Sequence, residues 1–198
     1  MDELMPREII EKRFYFIKDD TLKKNISIAF EHIIFLIDIA SKEHYGKLIR
    51  SSLYKDATVY TGTIVEDCLY HILDKFLESG KIKKKKISAP QWKEISHGLI
   101  HEFSKKKRIR YVVENLSEQN FKINSNFVEV NRACLRGKIL TGKEFKISEE
   151  IREARNRIHV SGLKEIDNTY SKEKLDEVFS KASVLIKKIE RKLSTISS

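Results

Sequence analysis

The stretch EEIREARNRIHVSG, residues 149–162, carries three arginines, an asparagine and a histidine within eight positions. If the stretch and the residues just before it form one helix at about 100° per residue, Ile147, Ile151, Ala154 and Ile158 share an arc of about 60° and should face the core. A second arc of about 100°, centred roughly 120° away, holds polar residues and would border a groove or a partner helix. This polar arc consists of Arg152, Arg155, Asn156 and His159.

The residue types of the polar arc suit the chemistry of a phosphate. Arginines clamp phosphate oxygens through paired hydrogen bonds, and Asn156 can orient a substrate group. His159 has a reference pKa of about 6.5 and can exchange protons at neutral pH. Like charges three residues apart and an internal asparagine both weaken a helix, so local stability does not explain the arc. The alternative is a solvated helix whose arginines pair with Glu149 and Glu153.

The segment REARNRIH resembles the signature of the HEPN superfamily (higher eukaryotes and prokaryotes nucleotide-binding), an arginine followed after four to six residues by a histidine. Six residues separate Arg152 from His159. Arg155 and Asn156 supply the Arg-Asn pair often found in the family. Three residues separate Arg155 from His159, one fewer than in the commonest arrangement of the family. Both arginines are therefore candidates for the motif arginine. The order of segments is also similar: an apolar helix containing an acid, GTIVEDCLYHIL, then the motif helix, then an amphipathic helix.

The resemblance implies an activity. Many HEPN proteins are metal-independent endoribonucleases of toxin–antitoxin, abortive-infection and phage-defence systems, and they act as dimers whose motif helices face each other. By this resemblance a ribose 2′-OH attacks the adjacent phosphate, with His159 as general base or acid. Arg152 and Arg155 would stabilise the charged phosphorane. The products would be a 2′,3′-cyclic phosphate and a 5′-OH, without a cofactor or metal.

The partners implied are RNA, a second copy of the chain, and a cognate antitoxin or nucleotidyltransferase. The alternative is a non-catalytic HEPN-like module that binds RNA, a nucleotide or a protein partner through the same polar arc. A third interpretation is a structural helical adaptor whose charge serves only solubility. The presence of the arginines, Asn156 and His159 on one face favours the enzyme, whereas the shortened spacing favours the alternatives.

Composition predicts an all-α protein. The chain of 198 residues contains only 2 prolines and 7 glycines, fewer than strands and tight turns usually need. We expect a single HEPN-like up-and-down helical bundle with extra short helices over 1–198, with an inserted basic region at about 81–126. The net charge of +10 favours an anionic partner, with solubility alone as the alternative.

Cysteine usage and hydropathy indicate the compartment. Cys68 and Cys134 lie in apolar helical patterns, which favours core thiols in a reducing compartment over a disulfide. The first residues are charged and have no apolar secretory segment. The most apolar stretch, 28–40, is interrupted by charged residues and is too short to span a bilayer. We therefore expect a cytoplasmic protein with no membrane partner.

Apolar periodicity predicts the helices that position the polar arc. The segment from about Lys47 to Ser79 carries two apolar stripes, which predicts a central helix with contacts on two sides. Ser148 is expected to cap the motif helix and Gly162 to end it. The other predicted helices are Pro6–Lys18, Leu22–Tyr45, one that starts near Pro90 and includes WKEISHGLIHEF, short helices within 111–126, one that ends near Gly137, and Lys172–Leu193.

Two basic runs, at 81–86 and 105–110, bracket the helix expected after Pro90. Lysines contact phosphates without reading sequence, so these runs predict contact with RNA, with two solvated loops as the alternative. The residues predicted for this contact are Lys83, Lys84, Lys85, Lys86, Lys105, Lys106, Lys107 and Arg108.

Two further features concern side chains outside the motif. Glu66 lies on an apolar stripe of the central helix, where an acid is costly unless paired. It is expected to orient Arg152 or Arg155, unless it reaches water at the margin of the helix. His97 and His101 have the i,i+4 spacing of a zinc site on a helix, but no third or fourth ligand is evident nearby, so no metal site is expected.

Overall fold

The computed structural model describes residues 6–42, 44–104, 107–119, 126–156 and 170–196, and it shows a mainly helical protein with a two-stranded antiparallel sheet. The all-α class expected from the sequence is confirmed only in its coarser form, a mainly helical protein, because the sheet was not expected. The elements are α1 (Arg7–Arg13), α2 (Asp20–Ser41), α3 (Lys47–Glu78), α4 (Lys84–Ile87), β1 (Ala89–Ser104), β2 (Lys107–Gln119), α5 (Phe127–Arg136), α6 (Gly142–Asn156) and α7 (Lys172–Ser194).

α3 is the centre of the fold. It is 32 residues long and packs against α2, α5, α6 and α7. Its buried side chains include Val65, Cys68, Leu69 and Ile72, each 0% exposed. Because these side chains meet neighbours on more than one side, the prediction of a central helix with contacts on two sides is confirmed.

Side-chain caps determine where several helices begin. Asp19 accepts a hydrogen bond from the backbone N–H of Leu22 at 2.9 Å, and α2 begins directly after it. Asn126 and Ser171 cap α5 and α7 in the same way. Each cap satisfies a backbone donor that the first turn of a helix leaves unpaired. α7 then packs against α3 and α6.

α6 begins at Gly142, earlier than the sequence indicated. The backbone N–H of Glu144 donates to Thr141 Oγ1 at 3.3 Å, and the backbone N–H of Thr141 donates to Glu144 Oε2 at 2.8 Å. This reciprocal capping box starts the helix. The N-cap predicted at Ser148 is wrong, because that residue lies inside α6 and is 0% exposed. The predicted stop, Gly162, lies outside the described residues.

Glu144 also joins the first turn of α6 to the end of α7. Its carboxylate accepts a hydrogen bond from Lys192 Nζ at 2.6 Å and lies 3.5 Å from Lys188 Nζ. Burial opposes ionisation, but the hydrogen bonds from Lys192 and Thr141 outweigh burial and lower the pKa of Glu144 to about 2. The N-terminal end of α6 is therefore fixed to α7.

Residues 89–119 contain a hairpin instead of helices. β1 and β2 run antiparallel, with Ala89 opposite Gln119 at one end and Ser104 opposite Lys107 at the other. The helix predicted from near Pro90 is wrong, and so are the short helices predicted within 111–119. Both segments are rich in β-branched and aromatic residues, which pack well in cross-strand pairs. Residues 120–125, the rest of that predicted helical region, lie outside the described residues.

Both cysteines are core residues. Cys68 and Cys134 are free thiols with 0% exposure. Burial raises the pKa of both, that of Cys134 to about 12. The prediction of two core thiols is confirmed. In the part of the chain that the structure describes, no helix combines the length and the apolar character needed to cross a membrane.

Candidate functional site

The C-terminal half of α6 carries three residues of the predicted polar arc. Ile151 is 0% exposed and anchors this half of the helix in the core. Arg152 and Arg155 are half-buried, whereas Asn156 is exposed. His159 lies outside the described residues, so its place beside the arginines stays a prediction.

Arg155 is held by residues of two neighbouring helices. Its Nη1 donates to Glu66 Oε2 of α3. Its guanidinium carbon lies 5.9 Å from the centre of the Phe127 ring of α5, within the range of a cation–π contact. An ideal β-carbon on Gly62 would lie 2.9 Å from both Cβ and Cδ of Arg155, so the aliphatic stem rests on the backbone of α3. The guanidinium is thereby positioned by the fold itself.

Arg152 pairs within its own helix. Its Nε and Nη2 donate to Glu149 Oε2 at 3.1 Å and 2.9 Å. Asn131 of α5 donates to Glu149 Oε1 at 2.6 Å. Burial opposes ionisation of Glu149, but the hydrogen bonds from Arg152 and Asn131 outweigh it and lower its pKa. Arg152 thus belongs to a polar network inside the protein, and the contact expected of Glu66 is made with Arg155.

Asp67, beside Glu66 on α3, is a candidate that the sequence analysis missed. Burial, and then the charge of Glu66, raise the pKa of Asp67 to about 6 against the opposing charge of Arg155. An acid that titrates near neutral pH beside a fixed arginine is the kind of group that acid–base sites contain. The sequence signal was the doubled acid in the otherwise apolar stretch GTIVEDCLYHIL.

Two tyrosines border the same region. Burial raises the pKa of the Tyr70 hydroxyl, and the nearby charge of Glu66 raises it further. Tyr170 Oη donates to the carbonyl oxygen of Ala154 at 3.4 Å, and its backbone N–H donates to Ser51 Oγ at 3.3 Å. The chain therefore contacts both α3 and α6 at Tyr170, directly before α7 begins.

The two basic runs lie at opposite ends of the hairpin. Residues 83–86 are exposed and belong to α4 and its N-cap, just before β1. Lys107 and Arg108 are exposed where β2 begins, and 105–106 lie outside the described residues. A strand of 16 residues at about 3.3 Å per residue is about 50 Å long. The described parts of the two runs therefore form two separate basic surfaces.

The histidines of the hairpin do not share a face. His97 lies opposite Val112 and His101 lies opposite Ile109. Because neighbouring positions of β2 alternate between the faces of the sheet, the two histidines lie on opposite faces. Within the described residues, no three His, Cys, Asp or Glu side chains are grouped so that they could hold a metal ion.

Comparison with known proteins gives no relative. No protein-family model matches the chain, and neither does any curated protein or any solved structure. The HEPN resemblance therefore rests on the motif and on the order of the helices.

Proposed function

We propose that this protein is a metal-independent endoribonuclease of the HEPN type, with its site at the C-terminal end of α6. The observation that supports the proposal is the position of Arg155, which pairs with Glu66 of α3. The neighbouring acid on α3, Asp67, has a pKa raised to about 6. His159 follows Arg155 in the sequence and supplies a group that titrates near neutral pH.

The proposed reaction needs two proton transfers. A base removes the proton of the ribose 2′-OH as its oxygen bonds to phosphorus, and an acid protonates the 5′-oxygen as its bond to phosphorus breaks. His159 can perform either transfer. Arg155 stabilises the charged phosphorane, and because its guanidinium is already positioned, little reorganisation is needed. Asp67 acts as a positioning residue, since its ionisation adds a second negative charge beside Arg155.

The proposed enzyme is a homodimer in which two α6 helices border one RNA-binding cleft. One chain offers one His159, whereas the two proton transfers are best served by groups on opposite sides of the phosphate. A twofold axis repeats each surface patch and supplies the second His159.

The resemblance also suggests a biological setting. The enzyme would act in a toxin–antitoxin or phage-defence system, with a cognate antitoxin or a nucleotidyltransferase as partner. A nucleotidyltransferase gene beside the gene for this protein would support that setting.

The test is cleavage of labelled RNA by the purified protein in EDTA, at several values between about pH 5 and 9, where a histidine titrates. We expect cleavage to persist and to leave 2′,3′-cyclic phosphate and 5′-OH ends, identified by mass spectrometry. Arg155→Ala should slow cleavage, whereas Arg191→Ala removes an exposed arginine of α7 and serves as the matched control. A strict requirement for added magnesium or manganese would contradict this mechanism.

A non-catalytic RNA-binding module is the second candidate, and the ion pairs of both arginines favour it. Arg152 pairs with Glu149 and Arg155 pairs with Glu66. These carboxylates offset the positive charge of the polar arc. Such a module would bind RNA through the polar arc without cleaving it, so Arg155→Ala would lower its affinity. If the wild-type protein binds RNA but cleaves no RNA at any pH tested, the non-catalytic module is the correct interpretation.

A further inference from the structure

The hairpin exposes an unusual amount of apolar surface. β1 and β2 contact each other extensively and the helices only marginally. An isolated two-stranded ribbon is at best marginally stable in water, and clustered exposed apolar side chains mark an interaction surface. Among the described side chains of the hairpin, eight large apolar ones are each between 44% and 64% exposed: Ile95, Leu99, Ile100, Phe103, Ile109, Tyr111, Val112 and Val113.

The two edges of this ribbon differ in regularity. Every residue of β2, from Lys107 to Gln119, has a partner on β1, whereas the register skips Ile95, Ile100 and Phe103 of β1. Such bulges interrupt the ladder and twist the strand, which blunts an edge against further pairing. β2 has no bulge and contains neither proline nor glycine. Its free edge is therefore the one that can accept another strand.

Two charges of β2, Arg110 and Glu114, have no counter-charge opposite them on β1. Glu114 lies directly opposite Glu94 of β1, an unfavourable pair of like charges. Glu94 is bonded to His97 Nδ1 at 2.5 Å, but no described cation pairs with Glu114. Arg110 lies opposite Leu99, and no described acid pairs with it. Both charges lie on the same face of β2, four positions apart.

We propose that the free edge of β2 pairs antiparallel with β2 of a second copy of this chain, with the twofold axis at Val112. In that register Arg110 lies opposite Glu114 of the second copy, and the same contact occurs twice. Tyr111 lies opposite Val113 of the second copy, which covers part of the exposed apolar surface. Opposite charges and aromatic–β-branched pairs are the cross-strand combinations that stabilise a sheet.

The pairing produces a closed dimer. The strands lie in the order β1, β2, β2, β1, and the bulged β1 strands form both outer edges. Since those edges are blunted, the sheet stops at four strands. The contact does not use α6, so it is independent of the proposed ribonuclease function and can be tested separately from it.

The first experiment is disulfide trapping in the full-length protein. Val112→Cys places two thiols at the proposed axis, and mild oxidation should give a covalent dimer. Cys68 and Cys134 are buried and do not compete. Ile95→Cys, in a bulge of β1, is the matched control and should stay monomeric on denaturing gels. Because trapping at Val112 reports this contact alone, a dimer held only through α6 gives no crosslink and overturns the proposal.

The second experiment is a charge-reversal cycle in the Val112→Cys variant. It is read by the yield of the covalent dimer, because sedimentation would also count a dimer formed through α6. Arg110→Glu or Glu114→Arg alone should weaken association by about tenfold or more, because like charges then face each other. The double variant restores opposite charges and should restore association, which shows that both substitutions are compatible with the fold. Circular dichroism checks that each single variant is folded. Lys107→Glu is the control, since Lys107 lies opposite Ser104 of β1 and opposite Ser117 of the second copy in this register.

The opposite outcomes are equally clear. A loss of association with Lys107→Glu but not with Arg110→Glu contradicts the register at Val112. If Val112→Cys gives no crosslink, and RNA affinity falls equally with Lys107→Glu and Arg110→Glu, the hairpin is an RNA-binding arm and self-pairing is overturned.

Discussion

The side chain of Arg155 of α6 fills the space that a side chain at Gly62 of α3 would need: a β-carbon at position 62 would lie 2.9 Å from both Cβ and Cδ of the arginine. Contacts that short force one partner to move, and the stem of Arg155 is confined at the same time by Glu66 and Phe127. The absence of a side chain at Gly62 therefore decides where the guanidinium of Arg155 lies.

Gly62→Ala should displace Arg155 and destabilise the protein by about 1–3 kcal/mol, the usual cost of an inserted methyl group in a packed site. Under the proposed function, RNA cleavage should also fall. Thermal unfolding and initial cleavage rates measure the two effects. Gly46→Ala is the control, because nothing lies within 4 Å of its β-carbon. Wild-type stability and activity in Gly62→Ala would show that the contact does not position the arginine.

His159→Ala should lower RNA cleavage by about 100- to 10,000-fold, the contribution expected of a general acid–base group. The unfolding curve should not change, because the sequence places His159 off the apolar arc of the motif helix. His44→Ala removes an exposed histidine and controls for the loss of an imidazole elsewhere. Full activity in the His159 variant would exclude the histidine from the reaction.

Asp67→Asn should make stability less dependent on pH. The pKa of Asp67 is raised from 3.8 to about 6 by burial and by Glu66, so the folded protein holds this proton more tightly than the unfolded chain does. Its contribution to stability is fully present below the ordinary pKa and is lost as pH rises through about 6. Asparagine cannot ionise and avoids that loss.

The size of the Asp67 effect follows from the shift. About two pKa units correspond to about 3 kcal/mol, reduced to about 1 kcal/mol because solvent still reaches this side chain. Asp67→Asn should therefore raise Tm by about 2–4 °C at neutral pH, with little difference near pH 4. Asp176→Asn, an exposed acid on α7, is the control. An equal change in Tm at both pH values would show that ionisation of Asp67 is not its cause.

A composite site should make the two copies of His159 interdependent. We expect the chain to dimerise through α6 at micromolar concentration, measured by sedimentation of the Arg110→Glu variant, in which the β2 contact is weakened. A heterodimer of wild-type and His159→Ala chains, purified through different tags, should lose nearly all cleavage, because both proton-transfer groups serve one phosphate. Half of the wild-type activity would instead show that each copy works alone, and a monomeric active protein would exclude the composite site.

The sequence predicted the helical part of the fold because apolar periodicity is a local property. The two stripes of α3 were sufficient to predict its central position. The start of α6 was misplaced because Ser148 and Thr141 are both acceptable caps, and the choice depends on Glu144, three residues after Thr141. The reciprocal bonds of a capping box, not the type of one residue, fix the boundary.

The hairpin was missed because its pattern is not local. Bulges at Ile95, Ile100 and Phe103 break the alternation of period two in β1. Gly98, which weakens a strand, lies beneath the ring of Tyr111 on the neighbouring strand. Asp67 was missed for a related reason: two adjacent acids look alike in a sequence, and the fold alone places one against Arg155 and desolvates the other.

α6 is fixed to neighbouring helices near both of its ends. Lys192 binds Glu144 in the first turn of α6, and Glu66 binds Arg155 in the last turn of α6. Eleven residues at about 1.5 Å each place these anchors about 17 Å apart. Two contacts at different positions along the helix oppose both its translation along the axis and its rotation about the axis. The arginine face therefore keeps its orientation while both contacts persist. If a ligand or partner displaced Lys192, Glu144 would keep only the longer contact with Lys188 at 3.5 Å, and the first turn of α6 would be held more weakly than the last.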